Sequence, residues 1–405
     1  MFNQPGNRWV IWLIVSVFSL FQFFLQVATN MMAFRLAADF HLTDTGLGLL
    51  SSAFFYTYVI TQIPAGLLLD RFNVRKVLMT AVLLCGVGCV GFALSQHFWQ
   101  AFVSRLLMGM GASFGFVGMI FTIAEWFSLR NFALLVGFGE FIGMAGTSLA
   151  ERFVPYLIIS VDWRNVMLGC AALAGLIFLA KFVWLKDRPK HRSYHLPFRK
   201  QLLSNLKLAL RIKAVWLAGV YCCGMFAVVS LFAALWGVPY LETVHRFSYL
   251  AATDSIAWML LGIALGAPSI GWLAGRTGKL KPLMQIACLI TLSLLLIMMF
   301  TEFLLDQITM FLLFIVGFTS SGSLLAFSVV ERATKKTIRG ISLGLCNALA
   351  LMGAVILQPL AGWIITALSQ NFHFDQAMSY QLALLVLPVI LLIGLLAAST
   401  IKLSK

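Results

Sequence analysis

Runs of about twenty apolar residues, parted by short polar connections, recur from one end of the chain to the other. A window of about 19 residues centres them near 10–34, 45–69, 77–95, 98–124, 132–156, 164–185, 214–238, 250–273, 282–301, 304–330, 340–366 and 377–401. Each run is long enough to cross a hydrocarbon core of about 30 Å as an α-helix. The pattern therefore predicts an all-α membrane protein with twelve transmembrane helices. The opening stretch, MFNQPGNRW, enters the first run through Arg8 with no small-residue cleavage site behind it. It reads as a first helix rather than a removed signal peptide. Lys186 to Lys213 is the only long polar connection. It divides the chain into a six-helix half over 1–186, a linker over 187–213 and a second six-helix half over 214–405. The later part of the linker, PFRKQLLSNLKLALRIK, alternates basic residues with leucines and suits a short helix on the membrane surface. We read it as a tether between halves, with a lipid-regulatory role as the alternative.

Composition closes off other classes. The chain is 61% hydrophobic and 11% charged, with mean hydropathy +0.95, whereas a soluble domain carries about 25% charge. A soluble enzyme is excluded, and any site has to lie inside the bundle. The net charge of +15 comes from basic residues in loops rather than from a nucleic-acid-binding patch. With both termini on one face, that face holds 24 of the 29 basic residues, Lys181 at the end of the sixth span counted with the loop cations among them. The positive-inside rule makes it the cytoplasmic face. Asp39, Asp44, Glu151, Asp162, Glu242, Asp254, Glu302, Asp306 and Asp375 fall on the other side, which checks the loop assignment. The seven cysteines lie within apolar stretches, without CxxC or Cys/His spacing. They read as small buried hydrophobes, and no metal or cofactor is expected.

The chain also repeats. GLLLDRFNVRK from Gly66 matches GWLAGRTGKLK from Gly271 at an offset of 205, and Gly111–Glu125–Arg130 matches Gly317–Glu331–Lys336 at 206. Glycine, acid and base at one spacing argue for a duplicated six-helix half. Two such pseudo-symmetric halves are the architecture of an alternating-access carrier.

The loop carrying Gly66, Asp70, Arg71, Arg75 and Lys76 resembles the hallmark motif of the major facilitator superfamily. RLLMGMG, with Arg105, Gly109 and Gly111, is similar to a second motif of that family. AEWFSLRNFALLVG from Ala124, the DWR at Asp162, LWGVPYL from Leu235 and QPLAGW from Gln358 look like pieces common among its bacterial metabolite carriers. The likeness spans the whole chain and specifies no substrate. Read physically, Gly66 lets its helix approach a neighbour closely. Asp70 is placed to accept hydrogen bonds from a helix N-terminus, and Arg71, Arg75 and Lys76 to meet acids or lipid headgroups. Together they form a conformational latch, and the resemblance implies a loop that stabilises the outward-open form. Plain anchoring by positive charge would explain the basic residues but not Asp70. Two departures stand out. Asn73 replaces the usual turn glycine, tolerable because Asn visits the left-handed region, and Gly275 stands where the second copy's acid would be. The latch is expected on one side only.

Placing the charges by loop leaves Arg105 and Glu140 inside the membrane, with Arg35 near the outer end of the first span. Glu140 is about 15 Å along a helix that starts near Arg130, so it is expected near the midplane. It reads as a proton-coupling carboxyl, protonated when desolvated and ionised when Arg105 approaches; the alternative is a static Arg105–Glu140 ion pair. No histidine falls at a midplane. Gln22, Gln26 and Asn30, spaced by four, set three amides on one face. They either line a cavity or join helices. Family geometry puts spans 1, 4, 7 and 10 around the cavity, with Tyr56, Tyr58, Gln62, Tyr221, Trp236, Ser320, Ser321, Ser323 and Asn347 as candidate opposing groups. Asn347 stands near the repeat partner of Glu140.

Walker A, HExxH and GxSxG sequences are missing, so ATP-driven transport and proteolysis are not indicated. In GFGEFIGMAGTS, Thr147 occupies the place where exporters of the superfamily often carry proline, which favours uptake. The expectation is a monomeric, proton-coupled transporter of the bacterial inner membrane, with no nucleic-acid partner. It imports a small polar or anionic metabolite such as an organic acid, amino acid or siderophore-like compound, the anionic preference resting on Arg35 and Arg105. The alternatives are an exporter of amphiphilic compounds, and a membrane sensor or scaffold, which would call for a soluble output domain.

Overall fold

The computed structural model describes residues 5–42, 44–185, 198–301, 305–371 and 374–402. Among them there is helix and short connection, and no strand. Every predicted span is a helix. The first half contains α1 (Pro5–Met31), a short α2 (Ala33–Asp39), α3 (Asp44–Arg71), α4 (Val74–Ala93), α5 (Phe98–Trp126), α6 (Leu129–Ser160) and α7 (Trp163–Trp184). The linker forms α8 (Phe198–Arg211), while its first part lies outside the described residues. The seventh span is composite: α9 (Lys213–Ala227), a π-helix over Val228–Trp236, then α10 (Gly237–Val244). After α11 (Tyr249–Thr277) and α12 (Leu280–Phe300), the tenth span comprises α13 (Asp306–Ser320), a 3₁₀ turn over Ser321–Leu324 and α14 (Leu325–Ala333). The chain closes with α15 (Arg339–Asn371), α16 (Gln376–Leu384) and α17 (Val386–Thr400).

Among the described residues, eleven spans are long and apolar enough to cross a membrane by length and composition alone. The remaining one, α6, carries Arg130, Glu140, Glu151 and Arg152 along its length. Several starts are fixed locally. Asp162 accepts from the Arg164 N–H at 2.8 Å, Ser248 from Ala251 and Asp375 from Met378, each satisfying a donor that the first helical turn leaves open.

Packing divides the chain into two units: residues 1–127, 142–209 and 335–344, and residues 128–141, 210–334 and 345–405. In the first, α5 is the centre, packed by α1, α3 and α4, with α7 against α4. In the second, α11 and α12 pack on α13, and α17 on α9 and α12. The sequence repeat reappears as geometry. A β-carbon on Gly66 would overlap the main chain of Gly340 and Ile341, and one on Gly271 that of Ala133 and Leu134. One turn on, Gly344 lies against Gln62 and Gly137 against Ala267. Thus α3 meets the start of α15 as α11 meets the start of α6, backbone on backbone.

The loop after α3 differs from its repeat. Asn73 has φ −62° and ψ 122°, ordinary extended backbone, so its tolerance of left-handed backbone is not used. The left-handed residue is Gly278 in the second copy, with φ 69°.

Just beyond α10, His245 is buried, its ring edge-on to Tyr240 at 5.5 Å and tilted against Phe247 at 6.0 Å. Burial holds its pKa below the ordinary 6.5, partly offset by the Met298 main chain. A lowered histidine pKa means the folded state resists protonation. The stability His245 gives is therefore complete above about pH 6.5 and lost as pH falls below it. Thermal melts should show a lower melting temperature at pH 5 than at pH 7.5, and His245→Gln should flatten that slope. An equal slope in the variant would assign it to other groups.

Candidate functional site

In the first unit, Arg105 is 1% exposed and joins three helices. From α5 its Nη1 donates to the Leu25 carbonyl of α1 at 2.7 Å and its Nη2 to the Ser51 carbonyl of α3 at 3.4 Å. The guanidinium lies 4.8 Å from the Phe54 ring centre. Both Nη groups thus donate to main-chain carbonyls rather than to a carboxylate, while Nε has no hydrogen-bond partner among the described residues. Beside it runs the amide stripe. Gln22 is fully buried, and its Nε2 donates to Gln26 Oε1 at 3.3 Å. Gly115 of α5 makes the room, since a β-carbon there would press on Gln22 at 2.9 Å. Gln22 Oε1 has no hydrogen-bond partner among the described residues, and Gln26 is half-buried. The Asn30 side chain lies outside the described residues.

The other first-unit candidates separate. Gln62 is fully buried, with both amide atoms lacking hydrogen-bond partners among the described residues. Tyr58 is buried and stacked on Phe54. Tyr56 shares an exposed stripe with Leu49 and Ile60, a lipid-facing composition that sets it apart from the amides. Arg35 is exposed on α2, one turn before Asp39. That acid belongs to a clasp that spacing alone did not reveal. Asp39 Oδ2 accepts from Trp163 Nε1 at 2.9 Å and from Arg164 Nη1 at 2.6 Å, and the Trp163 hydrogen bond, then Arg164, hold its pKa below 3.8. Lys181, placed by sequence among the loop cations, is fully buried in α7. Its Nζ sits 3.5 Å from the Phe18 ring centre and 3.4 Å from the Leu78 carbonyl.

In the second unit, Glu140 of α6 is 8% exposed, and its Oε2 has no hydrogen-bond partner among the described residues. It lies one turn past the Gly137–Ala267 contact. Cys222 of α9 and Cys346 and Asn347 of α15 are likewise buried. Tyr221 is spent on packing, its hydroxyl donating to the Met284 and Gly322 carbonyls. Trp236 donates to the Gln358 carbonyl at 3.4 Å and lies edge-on to Tyr380. Ser320 and Ser321 turn their hydroxyls back to the carbonyls of Gly317 and Phe318, where the helix tightens to 3₁₀. Ser323 is buried beside them.

The motif loop meets the start of α15. Asp70 is fully buried, accepting from the Gly340 N–H at 2.9 Å and the Ile341 N–H at 3.1 Å. These are first-turn donors with no partner inside the helix, at its positive dipole end. Beside them, Arg339 Nη1 lies 3.2 Å from Glu125 Oε1, with both side chains largely buried. Arg71 lies over Phe72 at 5.6 Å, Arg75 donates to the Phe182 carbonyl and stacks on that ring, and Lys76 is exposed. At the matching place in the second copy, a β-carbon on Gly275 would overlap the Arg130 carbonyl.

Twelve helices in two repeat-related sets of six, with ionisable and amide groups held between helices, define the secondary-transporter class of membrane protein. The sequence profile of the Major Facilitator Superfamily matches residues 11–328, and the chain belongs to that family. Across 398 residues it is 23% identical to the probable galactarate/D-glucarate transporter GudP of Escherichia coli K12, covering 87% of this chain and 86% of that one. It is likewise 23% identical to the membrane sensor protein UhpC of the same strain, covering 90% and 86%. In fold it is similar to the transporter FucP, crystallised in the outward conformation, with a TM-score of 0.80, 16% identity, and 98% and 100% of the two chains covered.

Proposed function

We propose that the chain is a proton-coupled secondary transporter of the bacterial inner membrane, with both termini cytoplasmic, that imports a small polar or anionic metabolite by alternating access. Glu140 carries this reading. An ionisable group buried in a membrane helix without a hydrogen-bond partner on Oε2 is costly, and such groups mark proton or substrate paths. Gln22 Oε1 and the Gln62 amide add buried polar atoms with free hydrogen-bonding capacity, as a polar solute requires. Because the Arg105 donors go to carbonyls, the preference for an organic acid rests on the likeness to GudP rather than on Arg105 or Arg35. The test is uptake into proteoliposomes under an imposed pH gradient, screening sugar acids first, then amino acids and chelators. Accumulation that a protonophore collapses supports the reading.

The likeness to UhpC favours a second reading, a membrane sensor. That relative is matched over 86% of its length, so a large added output domain does not separate the two classes. Saturable solute binding without net flux in the same vesicles would select the sensor, and efflux against the gradient would select an exporter.

Gln26→Leu distinguishes the two roles of the amide stripe. As a cavity residue, Gln26 gives a hydrogen bond worth about 0.5–1.5 kcal/mol, so its loss weakens substrate affinity by up to about tenfold. The melting temperature should hold. If the variant melts lower with native affinity, the amide stripe serves the packing of α1 rather than the solute, and α1 leaves the binding site.

A further inference from the structure

The linker helix α8 has no assigned task, and its surface has three sectors. At about 100° per residue, Lys200, Lys207 and Arg211 fall within an arc of about 40°, and all three are exposed. Ala209, on the opposite side, is fully buried. Between them lie Leu203 and Leu210, 57% and 40% exposed. There is no acidic residue between Asp187 and Glu242. Trp216, itself exposed in the first turn of α9, donates its indole N–H to the Leu210 carbonyl at 2.9 Å. The end of α8 is thereby tied to the start of a membrane span through a residue type that favours the bilayer boundary.

We propose that α8 is a docking site for the headgroups of anionic phospholipids, with the basic row taking the phosphates and Leu203 and Leu210 entering the acyl boundary. Charge complementarity selects the partner's sign. The leucines flanking the cations, and the attachment to a membrane span through Trp216, select a bilayer over an acidic protein, which would leave those leucines in water. Each basic side chain contributes roughly fivefold to partitioning onto an anionic surface.

The test places a nitroxide at position 203 (Leu203→Cys) in the full-length protein. The native cysteines are buried or half-buried, and unsubstituted protein reports any background labelling. The labelled protein is reconstituted in phosphatidylcholine, alone or with phosphatidylglycerol. Collisions with oxygen, relative to a water-soluble nickel chelate, should rise several-fold when phosphatidylglycerol is present. High salt, or the triple variant Lys200→Gln, Lys207→Gln, Arg211→Gln, should abolish the rise. A charge-preserving triple, Lys200→Arg, Lys207→Arg, Arg211→Lys, should keep it. A label immersed equally in both lipids overturns the proposal in favour of purely apolar docking. A label in water in both overturns it too, leaving the face to solvent or a soluble partner.

Discussion

Glu140→Gln should abolish accumulation driven by a pH gradient while counterflow exchange continues near its native rate. The substitution keeps the shape of the side chain and removes its titratable proton. A gradient of one pH unit is worth about 1.4 kcal/mol per proton and sustains about tenfold accumulation at one proton per substrate. The variant should therefore fall to about equal concentrations on the two sides. Folding should be little affected, because Glu140 Oε2 makes no hydrogen bond among the described residues that the amide would break. Thermal stability measured on the same preparation separates a coupling defect from a folding defect. Undiminished accumulation in a well-folded Glu140→Gln protein would remove the carboxyl from the proton path.

The second large effect is expected at Asp70. Both its oxygens accept from main-chain N–H groups that open α15. In Asp70→Asn one oxygen becomes an amide donor facing another donor, and the charge on the helix dipole is gone. Losing one charge-assisted hydrogen bond, about 1.5–3 kcal/mol, together with the dipole term, about 0.3–1 kcal/mol, shifts a two-state equilibrium by roughly twentyfold to several hundredfold. In the latch reading, the outward-open form loses population. Cysteines introduced on the outer face should then react more slowly with a membrane-impermeant maleimide. A faster or unchanged rate would show that Asp70 only stabilises the α3–α15 contact.

The helices and the duplication were legible because both are one-dimensional signals. Apolar runs of membrane length need no partner to be recognised, and an offset of 205 can be read from letters alone. That offset carried real geometry, since Gly66 and Gly271 make the same backbone contact in their two settings. What escaped depends on which helices become neighbours. Nothing in the spacing of Arg105 says that its guanidinium meets carbonyls of α1 and α3. Nor does the DWR tripeptide announce Asp39, 124 residues before Trp163, as its partner. Lys181 was misplaced for a related reason: a lysine near a span's end is ordinarily a loop cation, but its long stem lets it reach a neighbouring ring and carbonyl. Asn73 shows the limit of conformational tolerance as a guide, for a residue able to turn left-handed sits in ordinary backbone.

The π-helix over Val228–Trp236 gives this family member one place where its length is adjustable. A winding closed from i to i+5 stores more residues per turn than one closed from i to i+4. Dropping a residue there tightens the coil yet still delivers Trp236 to Gln358 and Tyr240 to Met298. The same deletion in α12 would swing everything beyond it by about 100°. Single-residue gaps among homologous chains should therefore gather in this stretch and spare the neighbouring spans.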